Sequence, residues 1–197
     1  FDDEIAAAMK ESGCFRLNVG VESHNTEILK YTKKGVTKEQ IIKGFEIIHK
    51  YDFESVAFFI IGFPGQTIED AWATMDFIKI IKPSFILMNS LLALPHSAVY
   101  FDLVKRGVFQ KDYWKEHVLN PVKDYVLPSW RGDDMDKSFM DIRDQIMKRF
   151  YLSPGFVLKE TYGDITNYRF KQLGRKIKMG FKMVCGAREQ EFRGNQD

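Results

Sequence analysis

The sequence predicts an α/β fold built on a parallel sheet and followed by a mostly helical C-terminal region. Three observations carry this. Strand-like and helix-like segments alternate three times over the first hundred or so residues, the pattern of parallel α/β architecture. The first strand segment alternates strictly between apolar and polar residues. The second is a nearly continuous apolar run. In an open doubly wound sheet both faces meet helices and should be apolar, whereas in a barrel one face points inward, where a ligand needs polar groups. The alternation therefore favours a barrel or partial barrel with a binding interior. Three units cannot close an eight-stranded barrel, which needs about 200 residues or more.

The elements follow in order. Asp2 to Ser12 reads as a short helix, with Asp2 or Asp3 as cap and Gly13 as stop. From Phe15 to Glu22 the residues Phe15, Leu17, Val19 and Val21 share one parity, and Arg16, Asn18, Gly20 and Glu22 the other. Ser23, His24 and Asn25 turn the chain into a short helix that ends near Gly35. Thr37 with Gln40 forms a capping box ahead of a helix whose stripe is Ile41, Ile42, Phe45 and Ile48. Val56 to Phe63 is the continuous run, expected to be covered on both faces. Gly62-Phe63-Pro64-Gly65-Gln66-Thr67 breaks it, and Thr67 with Asp70 caps a helix with Ile68, Ala71, Trp72, Met75 and Ile78 as its stripe. Pro83 ends that helix, Phe85 to Leu94 is the third strand, and Ala98 to Lys105 a helix before Gly107.

Beyond that point the character changes. Phe109 to Trp130 is aromatic-rich and broken by Pro121 and Pro128. Lys137 to Tyr151 is helical, with Phe139, Ile142, Ile146 and Phe150 on one face, and Tyr168 to Val184 reads as a basic amphipathic helix. The expected division is 1–107 and 108–197.

Composition narrows the function classes. Of 197 residues 45% are hydrophobic and 28% charged, which excludes disorder as the main state. A net charge of +2 implies no dedicated nucleic-acid or acidic-membrane surface. Two cysteines, Cys14 and Cys185, supply neither a disulfide framework nor an iron–sulfur ligand set, and suit a reduced, cytoplasmic protein. No apolar run is long enough to span a bilayer.

Several residues are candidates for chemistry. GFPGQT is a glycine-rich turn between strand and helix that lacks the Lys of a phosphate loop. It reads as a tight turn, as a close approach to a flat ligand such as adenine, or as a phosphate cradle. Glu22 and Ser23 end the first strand, where ligands sit in parallel α/β folds. On position alone Glu22 reads equally as a salt-bridge partner of Arg16. The histidines 24, 49, 96 and 117 show no metal-ligand spacing; His96 follows the third strand and is the one placed at the rim expected for a site.

Taken in order, a GC pair, VGVES, EILK and KG, FFIIGFPGQTIED and LLALPHSAVY resemble the second half of the radical S-adenosylmethionine domain. The likeness is to the branch of the anaerobic magnesium-protoporphyrin ester cyclases and their often cobalamin-binding relatives. It runs from about Gly13 to Gly107, and FYLSPGF resembles the helical tail of that branch.

The resemblance implies half of a partial (βα)6 TIM-like barrel, its last three βα units, and S-adenosylmethionine with a 4Fe–4S cluster in the parent protein, an enzyme with a small-molecule substrate. It further implies cofactor contacts at Glu22 and Ser23, at Ile61, Gly62 and Phe63, and at Leu92 and Ala93 through backbone, with Asn18, Asn89 and His96 facing substrate. Family members usually carry Gly at 24, Glu at 66 and Gly at 96, where this chain has His24, Gln66 and His96. The family's C-x3-C-x2-C cluster motif has no match here, so no residue of this chain is expected to ligate metal or act catalytically. The expectation is therefore a C-terminal fragment, inactive alone. Its partner would be the N-terminal half of the barrel, with an exposed sheet edge near Phe15 through which it could dimerise. The alternative reading is a self-contained α/β binding module without catalysis.

Overall fold

In the computed structural model the chain is described over residues 1–166; the expected helix at 168–184 and Cys185 lie outside these residues. Contacts divide the chain into two compact units: Phe1–Leu91 with Lys137–Ser153, and Leu92–Asp136 with the residues from Pro154 onward. The boundary expected at residue 107 follows motifs, and the division by contacts runs differently.

The first unit holds α1 (Asp3–Glu11), β1 (Arg16–Glu22), α2 (Thr26–Tyr31), α3 (Lys38–Lys50), β2 (Glu54–Ile61), α4 (Ile68–Ile81) and β3 (Phe85–Ser90). The strands form one parallel sheet in the order β1-β2-β3. Asn18 pairs with Val56 and Val56 with Phe85, while Ile60 pairs with Asn89. Both crossovers are helical, as parallel pairing requires. The two helices with capping boxes start where the sequence placed them. Thr37 Oγ1 accepts the Gln40 amide at 3.2 Å and Gln40 Oε1 accepts the Thr37 amide at 2.8 Å. Thr67 and Asp70 repeat the exchange at 3.1 and 3.4 Å.

The core lies on one face of the sheet. Val21, Ala57, Phe59, Ile61, Ile86 and Met88 pack with Leu29, Phe45, Ile48, Phe77, Ile78 and Ile81 from α2, α3 and α4. Phe139, Ile142 and Ile146 join them from α7 (Asp133–Tyr151).

The expectation that β2 is covered on both faces is corrected. Ser55, Ala57, Phe59 and Ile61 are buried, whereas Glu54, Val56, Phe58 and Ile60 are only partly so. The apolar residues of the second parity line the uncovered side of the sheet, so the unbroken run reflects that side and not a second helical layer. The buried face of α4 is wider than the expected stripe: Ala71 and Ile78 are in the core with Ile68, Trp72 and Met75 packed against it, and Thr74, Phe77 and Ile81 are buried as well. β3 stops at Ser90, short of the expected Leu94: Leu91 still donates to Ile61 O at 2.8 Å, and Leu94 N turns back to Leu92 O at 2.9 Å.

The second unit contains α5 (Ala98–Lys105), α6 (Tyr113–Leu119) and α8 (Pro154–Thr166). The aromatic-rich stretch has its own small core of Ala93, Tyr100, Leu103, Phe109 and Leu127, with Tyr113, Trp114 and Trp130 against it. Tyr100 donates its hydroxyl to Asp112 at 2.7 Å, and Trp114 donates its indole N–H to Ala93 O at 2.7 Å. Both bonds satisfy polar groups that burial would otherwise penalise.

Candidate functional site

A parallel sheet normally has both faces covered. In the first unit one face is left open, and it carries Asn18 and Gly20 of β1, Val56, Phe58 and Ile60 of β2, and Leu87 and Asn89 of β3. Asn18 and Asn89 are exposed, and the strand register places both on this same face. An apolar floor between two amides suits a flat, largely apolar molecule with a few polar groups.

At the carboxyl end of β1 the ladder slips between Gly20 and Glu22, and Glu22 takes φ 63°, a left-handed conformation that a non-glycine residue adopts at a cost. Its carboxylate meets Lys34 Nζ at 3.0 Å. The partner is thus Lys34, not Arg16; Arg16 pairs with Glu54 one strand over. The Glu22–Lys34 pair lies against Gly20: a Cβ there would come within 2.8 Å of Lys34 Nζ and 2.9 Å of Glu22 Oε1. With a side chain at position 20 the two charged ends would have to shift. Lys34 was missed as a site residue. It stands twelve positions beyond Glu22, after α2, and only the return of that short helix brings it back.

Ser23 is buried and its Oγ accepts the Asn25 amide at 3.1 Å. Asn25 in turn caps α2 through Glu27 N and Ile28 N. Ser23 therefore holds the turn that presents Glu22. His24 packs toward α4, with Nδ1 3.5 Å from Thr74 Oγ1 and its ring 6.1 Å from that of Phe77. Burial holds its pKa below the ordinary histidine value; the nearby Lys38 charge adds to this and Asp70 opposes it.

The GFPGQT turn follows β2. Gln66 is buried, and its Oε1 accepts the Gly62 amide at 2.6 Å and the Phe63 amide at 3.2 Å. Two amides of the turn are thereby bound within the turn itself. Gly62 at φ 83° and Gly65 at φ 82° need glycine for the turn itself. Ile61 and Phe63 are buried, so among the residues expected here it is Glu22 whose side chain remains partly open at the strand ends. Leu92, Ala93 and His96 belong to the second unit. There Leu92 is exposed, Ala93 is buried, and His96 sits exposed at φ 60° with its ring edge-on to Phe101.

No three His, Cys, Asp or Glu side chains among the described residues are grouped to hold a metal ion. Cys14 stands without a second cysteine among them, its Sγ 3.6 Å from Arg16 O. These residues do not fit an iron–sulfur cluster.

The profile of the Radical SAM superfamily matches residues 1–78. An uncharacterised methyltransferase of Pyrococcus horikoshii is 26% identical over 82% of this chain and 34% of its own length. The bacteriochlorophyllide d C-12(1)-methyltransferase of Chlorobaculum tepidum is 31% identical over 74% of this chain and 31% of its own. The chain thus spans about a third of the length of these curated relatives. Among solved structures, archaeal Elp3 of Methanocaldococcus infernus lacking its N-terminus matches 54% of this chain and 25% of its own, with 26% identity and a TM-score of 0.49. Residues 1–78 are thus similar to the radical SAM superfamily, and most of the chain is similar to part of these two methyltransferases.

Proposed function

We propose that this chain supplies cofactor- and substrate-facing strand ends of a radical S-adenosylmethionine enzyme of the magnesium-protoporphyrin cyclase-like branch. The observation that supports it best is the Glu22–Lys34 pair over Gly20 at the carboxyl end of β1. An amino-acid zwitterion offers the opposite charges in one molecule, an ammonium for Glu22 and a carboxylate for Lys34. The methionyl part of S-adenosylmethionine is such a zwitterion. Its adenine would lie by the turn at Ile61, Gly62 and Phe63, which Gln66 holds in shape through the Gly62 and Phe63 amides. S-adenosylmethionine supplies radical chemistry when bound beside a reducing cluster. The ligands of such a cluster are not among these residues, and no step is assigned to them.

What these residues do is bind, orient and exclude water. Glu22 and Lys34 hold the charged end. Val56, Phe58 and Ile60 form an apolar floor that keeps water from a reactive centre, and Asn18 and Asn89 orient the polar groups of a substrate. The name of the Chlorobaculum relative favours a tetrapyrrole as substrate and methyl transfer as the reaction; ring closure is the reaction of the branch named above. Cobalamin belongs to the same proposal. The outer edge of β1, with its groove of about 740 Å³ lined by Leu17, Val19, Lys34, Val36 and Phe45, would take the preceding half of the barrel as its partner.

The test is binding. The chain is titrated with S-adenosylmethionine while its amide NMR signals are followed. The reading expects the Glu22, Ser23 and Gly62 signals to move, and Lys34→Met to weaken the response. Absence of any shift at these positions at millimolar ligand would overturn the site.

A further inference from the structure

In a parallel sheet every second residue of an edge strand turns its N–H and C=O away from the sheet, where another chain can pair with them. The two edges of this sheet are treated differently. On β3 the Leu91 amide reaches Ile61 O, so the odd-numbered residues face β2 and Ile86, Met88 and Ser90 face outward. The Tyr151 hydroxyl occupies both outward groups of Ile86. It accepts from Ile86 N at 3.2 Å and donates to Ile86 O at 2.6 Å. One hydroxyl thereby takes the place of the two residues of a fourth parallel strand that would bond to Ile86. Tyr151 is the last residue of α7, which is anchored in the core by Phe139, Ile142 and Ile146, so the hydroxyl is held in place by packing. On β1 the Glu54 amide reaches Phe15 O, which turns Arg16, Asn18 and Gly20 outward. Among the described residues no strand pairs with this edge, and a groove runs along it.

An unplugged β3 edge and an open β1 edge on the same molecule are complementary. Copies would join β3 to β1 in parallel, a head-to-tail contact that builds rings or open filaments of several copies. We propose that Tyr151 is an edge cap that keeps β3 from pairing with β1 of a second copy of this chain and leaves β1 as the receiving edge of the sheet. The cap needs no ligand and acts through a single hydroxyl.

Hydrogen exchange on the unmodified chain comes first. The Ile86 amide must be protected; exchange at the rate of a free amide overturns the proposal. Tyr151→Phe keeps the ring and removes the hydroxyl. Ile86 should then exchange about tenfold faster, the scale of one lost hydrogen bond. Sedimentation should show concentration-dependent growth into larger species. Adding Asn18→Pro should reverse that growth, because the lost N–H points away from β2 and proline blocks a pairing edge. Unchanged Ile86 exchange in Tyr151→Phe overturns the cap. Faster exchange without self-association overturns its role against a second copy.

Discussion

Gly20, Glu22 and Lys34 work as one group. The charge pair lies over position 20, which has no Cβ, and Glu22 reaches Lys34 through a left-handed strand end. In Gly20→Ala the new methyl meets two flexible side-chain ends, not backbone, so the charges give way first. Stability should change by less than about 1 kcal/mol, while the response of Glu22 to S-adenosylmethionine is lost; urea unfolding and ligand titration separate the two effects. His24 makes a second case. Its folded pKa lies below the ordinary value, so the unfolded chain takes up its proton first as pH falls. Its contribution is full above the ordinary histidine pKa and is lost as pH falls toward the folded value. The melting temperature should therefore drop on acidification from about pH 7.5 to below pH 6, and drop less in His24→Gln. Reading the sequence found Glu22 by its position at a strand end. It did not find Lys34, because a lysine in a basic loop carries no local mark of its partner.

At the scale of elements, capping boxes and strand parity were legible because they are local. Thr37 with Gln40 and Thr67 with Asp70 each act over three residues, and the structure contains both. The turn after β2 is held by a contact that is nearly as local, from Gln66 to Gly62 and Phe63. Gln66→Ala would remove the acceptor that the Gly62 and Phe63 amides share, at a cost of about 2–5 kcal/mol. Chemical unfolding should show that loss, and Gln66→Glu, which keeps an acceptor oxygen, should recover most of it. What the local pattern misjudged was β2. Continuous hydrophobicity has the same appearance whether the second face meets helices or lines an open floor, and the difference lies in elements far away in sequence.

At the scale of the molecule, the sheet is completed by residues that follow β3 by almost fifty positions. α7 brings Phe139, Ile142 and Ile146 into the same core as β2 and α3. Ile146 is fully buried, so Ile146→Ala should cost about 2–5 kcal/mol and lower the melting temperature of the first unit, although it lies outside the βα units. The helical character of 137–151 was plain from its stripe. Its destination was not, since an apolar stripe states that a helix is buried without naming its partner.

The sequence by itself determined the α/β class, the order of strands and helices, the caps, and the family likeness carried by VGVES and GFPGQT, because these rest on periodicity and on contacts a few residues apart. The tertiary structure alone decided which face of β2 stays open, that Glu22 pairs with Lys34, that Gln66 binds the Gly62 and Phe63 amides, and that Tyr151 closes β3. Each of those depends on chain segments brought together across turns and helices, and burial, charge and hydrogen bonding are settled only where such segments meet.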